Sequence, residues 1–378
     1  MWASRKKVLI FGKFDALHPG HIYLINQAQK LGRVTAVLET DEAIRSLRGE
    51  APCYQQAVRQ KILLKYGIKI YLRYQQDYHA VLKDLSPDIL LFGYDQDWLN
   101  GQFRRVINAG DYGVQTRTAR AWHPEFCKSS KIKSVLSDPQ AAFYFLDKAK
   151  GTPSFQTVSL LRRCLHIKKI GFSGTLDPLA SGLMILASGR ATKILDWFHF
   201  LPKTYEADIL FGQHSDTYDL AGRISINERA RAFGQKDLST NLKKFLGPQE
   251  QIAPTYSAKK VAGHKLHELA RQGRDLTAPR SHIEIYELEV KKFRYPQLRL
   301  FIKCSAGTYI RSLAQDLGQA MSTGALLADL RRLSIGGFSL KIALAIEKID
   351  ERRLRHHCHA PAQIIDSLNQ WFYRSLRS

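Results

Sequence analysis

Apolar residues follow two different rhythms along this chain. Through the first third, short apolar runs alternate with helical patterns. KVLIFGKF (7–14) is a strand-like run broken by Gly12. HIYLINQAQKLG (21–32) sets Ile22, Ile25 and Ala28 on one helical face and stops at Gly32. RVTAVLET (33–40) predicts a second strand, and the SPD turn (86–88) leads into a third, ILLFG. Strands alternating with helices predict an α/β domain with a parallel sheet. Its ligand crevice should lie at the C-terminal ends of the strands.

The rhythm changes at KSSKIKSVLSDPQ (128–140), a polar stretch that ends in a turn signal. Beyond it, β-rich runs (TYEADILFG, HIEIYELEVKKFRY, LRLFIKCSAG) mix with helical ones (TVSLLRRCLH, TYIRSLAQDLGQAM), which predicts an α+β domain. The expected organisation is one domain over 1–138, a second over 139–345, and a short tail over 346–378. No internal repeat or low-complexity segment is visible.

Composition narrows the function. A chain of 378 residues suits two domains better than one core. No apolar run approaches the ~20 residues of a membrane span, and the basic N-terminus lacks a signal peptide's apolar core. Five scattered Cys without a C-x-x-C pair fit reduced thiols, so we expect a cytoplasmic protein with no membrane partner. The net charge is +23. Residues 1–138 carry 21 Lys+Arg against 13 Asp+Glu (+8), and residues 139–378 carry 36 against 21 (+15). A positive field spread over both halves suits a polyanion such as nucleic acid.

In the first half, GKFDALHPGH (12–21) follows a strand and opens a helix. Helix N-termini offer free N–H groups and a positive dipole end, and imidazoles there can bind phosphate oxygens. The segment resembles the HxGH cytidylyltransferase-like nucleotidyltransferase superfamily over most of 7–135. PDILLFGYDQ (87–96) resembles that family's second nucleotide-side strand and loop, and KSSKIK (128–133) its phosphate loop. The resemblance implies that His18 and His21 contact a triphosphate, with Ser129, Ser130 and Lys131 near its far end. Gly12, Phe14, Asp15, Gly93 and Asp95 would complete the nucleotide site. It also implies ATP or CTP with Mg²⁺ and a phosphorylated small molecule as second substrate. Lys13 replaces a small residue of the family pattern and Lys133 replaces an Arg, keeping charge but not the bidentate fork.

In the second half, GFSGTLDPLASGLMILASGRATK (171–193) holds one carboxylate, Asp177, in a Gly- and Pro-marked turn. An Asp–Pro turn alone is usually structural. A nucleophilic carboxylate needs such a fixed turn, a cation to keep it charged and shielding from water. Arg311 in CSAGTYIRS can supply the cation, and Tyr205 in PKTYEADILFG an aromatic face for a base. These segments, with FLDKAKGTPSFQTVSLLRR, QIAPTYSAKKVAGHKLHELARQG and the L-R-R of 330–332, resemble in order the TruB family of tRNA pseudouridine-55 synthases, over 143–345.

The resemblance implies Asp177 as nucleophile, Tyr205 as stacking partner and later proton acceptor, and Arg311 as the partner of Asp177. Tyr309 and Leu330 would line the pocket. Asp216, Phe172 and a basic thumb over 251–273, with Lys259, Lys260, His264, Lys265 and Arg271, would meet tRNA. No cofactor and no protein metal site are implied. Phe172 stands where the family has His, and only 33 residues follow 345, shorter than the family's PUA-type RNA-binding module. The basic first domain is the expected substitute. The resulting expectation is a monomeric fusion of a nucleotidyltransferase and a tRNA uridine isomerase. Two rivals stay open: a nucleotidyltransferase with an RNA anchor, and an RNA-binding chaperone with vestigial sites.

Overall fold

The computed structural model describes residues 5–73, 77–110, 112–254, 260–261, 264–265 and 279–377. The chain divides into two compact units, Met1–Ala141 with Ala360–Ser378, and Ala142–His359.

The first unit is built on β1 (Lys7–Gly12), α1 (Pro19–Leu31), β2 (Arg33–Glu39), α2 (Asp41–Arg48), α3 (Gln56–Leu64), β3 (Lys69–Arg73), α4 (Tyr78–Leu85), β4 (Ile89–Phe92), α5 (Asp97–Ala109), β5 (Gln115–Thr118) and α6 (Ser129–Leu136). The five strands pair in parallel in the order β3-β2-β1-β4-β5. Val8–Phe11 and all of β4 are buried, because helices cover both faces of a parallel sheet. The strand succession reverses at β1, so β1 and β4 diverge into helices on opposite sides and open a crevice above their C-terminal ends.

Residues 346–378, expected as a separate tail, are shared between the units. The helix Pro361–Ser375 belongs to the first unit. Ile364, Ile365, Leu368 and Phe372 form its buried stripe, at the spacing of one helical face. Asn369 Nδ2 donates to Leu17 O at 3.0 Å, and the Tyr373 hydroxyl donates to Tyr66 O at 2.8 Å.

The second unit comprises β6 (Ala142–Lys148), α7 (Ser154–Leu165), β7 (Ile170–Ser173), β8 (Ser181–Ser188), β9 (Lys203–Phe211), β10 (Gln213–Ser215), β11 (Ile224–Ile226), α8 (Gln235–Leu242), β12 (Gly247–Ile252), β13 (Lys260–Val261), β14 (His264–Lys265), β15 (Arg280–Arg294), β16 (Gln297–Cys304), α9 (Ile310–Ala320), β17 (Ala325–Ile335), β18 (Phe338–Ser339), β19 (Leu344–Ala345) and α10 (Glu351–His356). One mixed sheet runs β12-β15-β16-β9-β17-β8-β6-β19, with β7 on β8 and β18 on β17. Burial alternates strictly along β9, so one face packs on helices and the other meets solvent. All eight residues of β8 are buried, which gives the segment after Asp177 a rigid base. Among the described residues, no helix is long and apolar enough to cross a membrane.

Candidate active site

Asp177 sits in the turn between β7 and β8, and local bonds fix that turn. Ser154 Oγ donates to Leu176 O (2.7 Å) and accepts from Leu176 N (3.0 Å). Pro178 O accepts from Gly151 N at 2.7 Å, and Asp177 O from Ala180 N at 3.0 Å. Gly182 has φ +106°, and a Cβ there would lie 2.7 Å from the Arg332 backbone nitrogen. Only Gly allows β8 to approach β17 this closely.

The cation comes from the first turn of α9. Arg311 Nε lies 2.9 Å from Asp177 Oδ2 and 3.8 Å from Asp219 Oδ2, and Arg311 Nη1 donates to Thr217 O at 3.2 Å. The Arg311 and Asp219 side chains are buried at 7% and 6% exposure, whereas Asp177 keeps 43% and opens into a cavity. Asp219 also accepts from Thr217 Oγ1 (2.6 Å) and Ala221 N (3.0 Å). Gln251 holds the start of the helix, accepting from Tyr309 N at 2.8 Å and donating to Tyr309 O at 3.0 Å.

The cavity is about 520 Å³, and Asp177, Tyr205, Tyr309, Arg311 and Leu330 all line it. Burial pushes the Tyr205 phenol up to about 12, so it is protonated at neutral pH, while Arg332 beside it pulls the other way and hydrogen-bonds the hydroxyl. Arg332 is itself buried, its guanidinium donating to Leu183 O (2.8 Å) and Gly174 O (2.9 Å). Register places it there, since Arg332 on β17 pairs with Tyr205 on β9. Lys203 lines the cavity, and Lys148 is buried within electrostatic reach of Asp177. Burial takes Lys203 down to about 7 with Arg332 adding to the effect, and takes Lys148 down to about 8 against the pull of Asp177. A clamped carboxylate beside an aromatic face, in a pocket of a nucleotide's dimensions, suits nucleophilic chemistry on a nucleotide.

Residues 162–310 match the TruB family pseudouridylate synthase N-terminal domain. A tRNA pseudouridine synthase B from Acaryochloris marina is 42% identical over 215 residues, which cover 56% of this chain and 73% of the relative. The chain belongs to the TruB family of pseudouridine synthases. It is therefore an isomerase, in a family that needs no cofactor. A solved Cbf5–Nop10–Gar1 complex aligns at 21% identity and a TM-score of 0.48, over 63% of this chain and 64% of that one. The lipopolysaccharide core biosynthesis protein from Thermoplasma volcanium aligns at 25% identity and a TM-score of 0.29, over 31% of this chain and 98% of its own length.

Of the remaining residues picked out for the TruB site, Phe172 and Asp216 do not line the cavity. Phe172 packs half-buried against the core, and Asp216 accepts from Arg223 N at 2.8 Å in an exposed turn. Lys259 lies outside the described residues, as do Arg271 and the side chains of Lys260, His264 and Lys265. Asp219, Lys203, His199 and Arg332 were not singled out in the sequence. The available signal was the motifs around them: Arg332 in L-R-R, Lys203 two residues before Tyr205, and Asp219 three after Asp216.

The first unit has its own pocket, about 530 Å³, at the C-terminal ends of β1 and β4. Gly12, Phe14, Asp15, His18, His21, Gly93, Asp95 and Ser129 line it, whereas Ser130 and Lys131 do not. Lys131 donates to Glu125 O at 2.7 Å instead. The His18 and His21 rings stack with centroids 3.8 Å apart. Gly20 makes room for them, because a Cβ there would meet the His18 ring at 3.1 Å and Cys127 at 3.2 Å. Burial holds both imidazoles neutral, His21 near 4 and His18 well below its usual value, with His21 adding to the effect on His18. His21 Nδ1 is buried with no hydrogen-bond partner among the described residues. Burial would raise Asp15, but Lys133 at 2.8 Å and the N–H groups of Tyr54 and Cys53 take it below the usual carboxylate value.

Proposed function

We propose that the protein converts the T-loop uridine at position 55 of tRNA to pseudouridine, with Asp177 as nucleophile. The observation that carries this is the Asp177–Arg311 pair at 2.9 Å, its carboxylate open to a cavity also lined by Tyr205. The uridine must leave its loop to reach that carboxylate, and Tyr205 offers it a stacking face. The C1′–N1 bond breaks with Asp177 as nucleophile, the base turns, and a C1′–C5 bond forms. C5 then loses its proton while N1 gains one, so the product is an isomer and no cofactor enters. Tyr205 rests as a phenol, so it can take the C5 proton only as the phenolate, after its own proton has passed to the solvent or to N1, and the guanidinium of Arg332 that hydrogen-bonds it favours that form. The test is Asp177→Asn with an unmodified tRNA transcript. Conversion should vanish while tRNA affinity stays within a few-fold. Substantial conversion by this variant would refute the assignment.

A second function is favoured by the pocket of the first unit. The N-termini of α1 and α6, the two neutral imidazoles and Lys133 surround a space suited to a triphosphate. The nucleotidyl-transfer reading of this unit rests on that arrangement. No group of three or more His, Cys, Asp or Glu among the described residues could hold a metal. Mg²⁺ would therefore enter with the phosphates of ATP or CTP. Nucleotide titration with Mg²⁺, described below, tests it.

A further inference from the structure

The uridine cavity has a polar group that the proposed chemistry leaves unused. His199 lines it beside Asp177, Tyr205 and Arg332, although it belongs to a different element, the 3₁₀ run Gly189–Phe200. Its neighbours Trp197 and Phe198 are fully buried, while the His199 side chain is 54% exposed. The chain is anchored on one side of His199 and open on the other.

Leu201 after Phe200 is extended, and neither it nor Pro202 belongs to a strand, so regular pairing does not fix this corner. Lys203 does. Its ammonium donates to Phe198 O (3.1 Å), His199 O (3.2 Å) and Leu201 O (2.7 Å). An ammonium has three donors. All three go to carbonyls that bracket one side chain. Burying a lysine is costly, and an apolar residue would fill the same space at less cost. The arrangement makes sense if this corner must be held in one conformation.

Burial, Lys203 and Arg332 lower the affinity of His199 for a proton, and Asp196, 4.0 Å away, only partly opposes them. A neutral imidazole offers one donor and one acceptor, which matches the alternating carbonyl and N–H groups of a uracil edge. Among the described residues, His199 is the imidazole that lines the cavity. We propose that His199 is a substrate-binding residue that hydrogen-bonds the polar edge of the nucleotide in the cavity, and that Lys203 is the positioning residue that presents it. This rests on the reading that the cavity takes a tRNA uridine.

The experiment measures kcat and KM with an unmodified tRNA transcript for wild type, His199→Ala, His199→Gln, Lys203→Met and the His199→Ala/Lys203→Met double variant. His199→Ala should lower kcat/KM on the order of 10-fold, the loss of one or two hydrogen bonds. His199→Gln, which keeps a donor and an acceptor, should recover most of it. The double variant should be no worse than His199→Ala alone, since the lysine acts through the histidine. An active wild type with an equally active His199→Ala overturns the assignment of His199. Multiplying losses in the double variant overturn the role of Lys203. The two His199 variants decide the main point even if Lys203→Met does not fold. A wild type that leaves the tRNA unchanged overturns the tRNA reading, and this assignment with it.

Discussion

Arg311 holds two carboxylates at once, and replacing it with Met should damage stability and turnover together. Met keeps much of the stem's volume and removes the guanidinium. Asp219, at 6% side-chain exposure, then has no cation among the described residues. It retains Thr217 Oγ1 at 2.6 Å and Ala221 N at 3.0 Å. Removing one partner of a buried pair costs about 3–5 kcal/mol, and the two surviving bonds place this case near 3 kcal/mol. Asp177 is almost half exposed and recovers hydration, so it adds little. For a unit of this size each kcal/mol moves Tm by about 2–4 °C, which gives roughly 6–12 °C. Catalysis should fall on the order of 10²–10³-fold in kcat, because the carboxylate loses the group that fixes its direction. Arg311→Lys should recover part of the stability, since an ammonium cannot span both carboxylates and Thr217 O as the fork does. Urea unfolding and single-turnover uridine conversion on the same preparations read the two effects. A stability change under about 1 kcal/mol, with kcat above a tenth of wild type, would refute the reasoning.

Gly182→Ala should destabilise by more than about 2 kcal/mol in urea, because φ +106° is strained for Ala and its Cβ meets the Arg332 backbone. Gly151→Ala, at φ +83° with open space around it, should cost less in the same assay. Lys203 has a folded value near 7 against an ordinary 10.5, so the unfolded chain binds more protons between these limits. Its contribution therefore raises stability with pH from about 7 to 10, by up to about 1.4 kcal/mol per unit, and the wild-type slope should exceed that of Lys203→Met in unfolding titrations. The His18→Ala/His21→Ala variant should lose Mg²⁺–ATP or Mg²⁺–CTP binding by calorimetry and on the order of 10²-fold or more in pyrophosphate release, with uridine conversion unchanged. A wild type that binds neither nucleotide at millimolar concentration would remove the nucleotidyl-transfer reading.

The parts of the site that were legible in the sequence are those carried by contiguous segments. The α/β rhythm of the first unit and the Asp177 turn each lie within a short run, where spacing and turn chemistry act locally. What stayed hidden depends on partners far apart in the chain. Arg332 reaches Tyr205 only because β17 pairs with β9 in one register. Asp216 was expected to meet tRNA, while Asp219, three residues further along the same polar turn, was not picked out. Folding puts one on the surface beside Arg223 N and buries the other behind Arg311. The stripe of Pro361–Ser375 is readable as helical, but its packing on the first unit is a tertiary fact.

The cations close to Asp177 differ in how they are satisfied, and this sets the field at that carboxylate. Lys148 donates to the carbonyls of Ala149 and Thr152, Lys203 to three carbonyls, and Arg332 to those of Leu183 and Gly174. Arg311 is the one held by carboxylates. A carbonyl meets a cation's hydrogen-bonding demand without cancelling its charge, so Arg332 keeps its field and each lysine does while it is protonated. Burial lowers the proton affinity of both lysines, and Asp177 raises that of Lys148. The Arg311 pair directs Asp177, and the carbonyl-bound cations leave positive potential over for the phosphates of a bound polyanion.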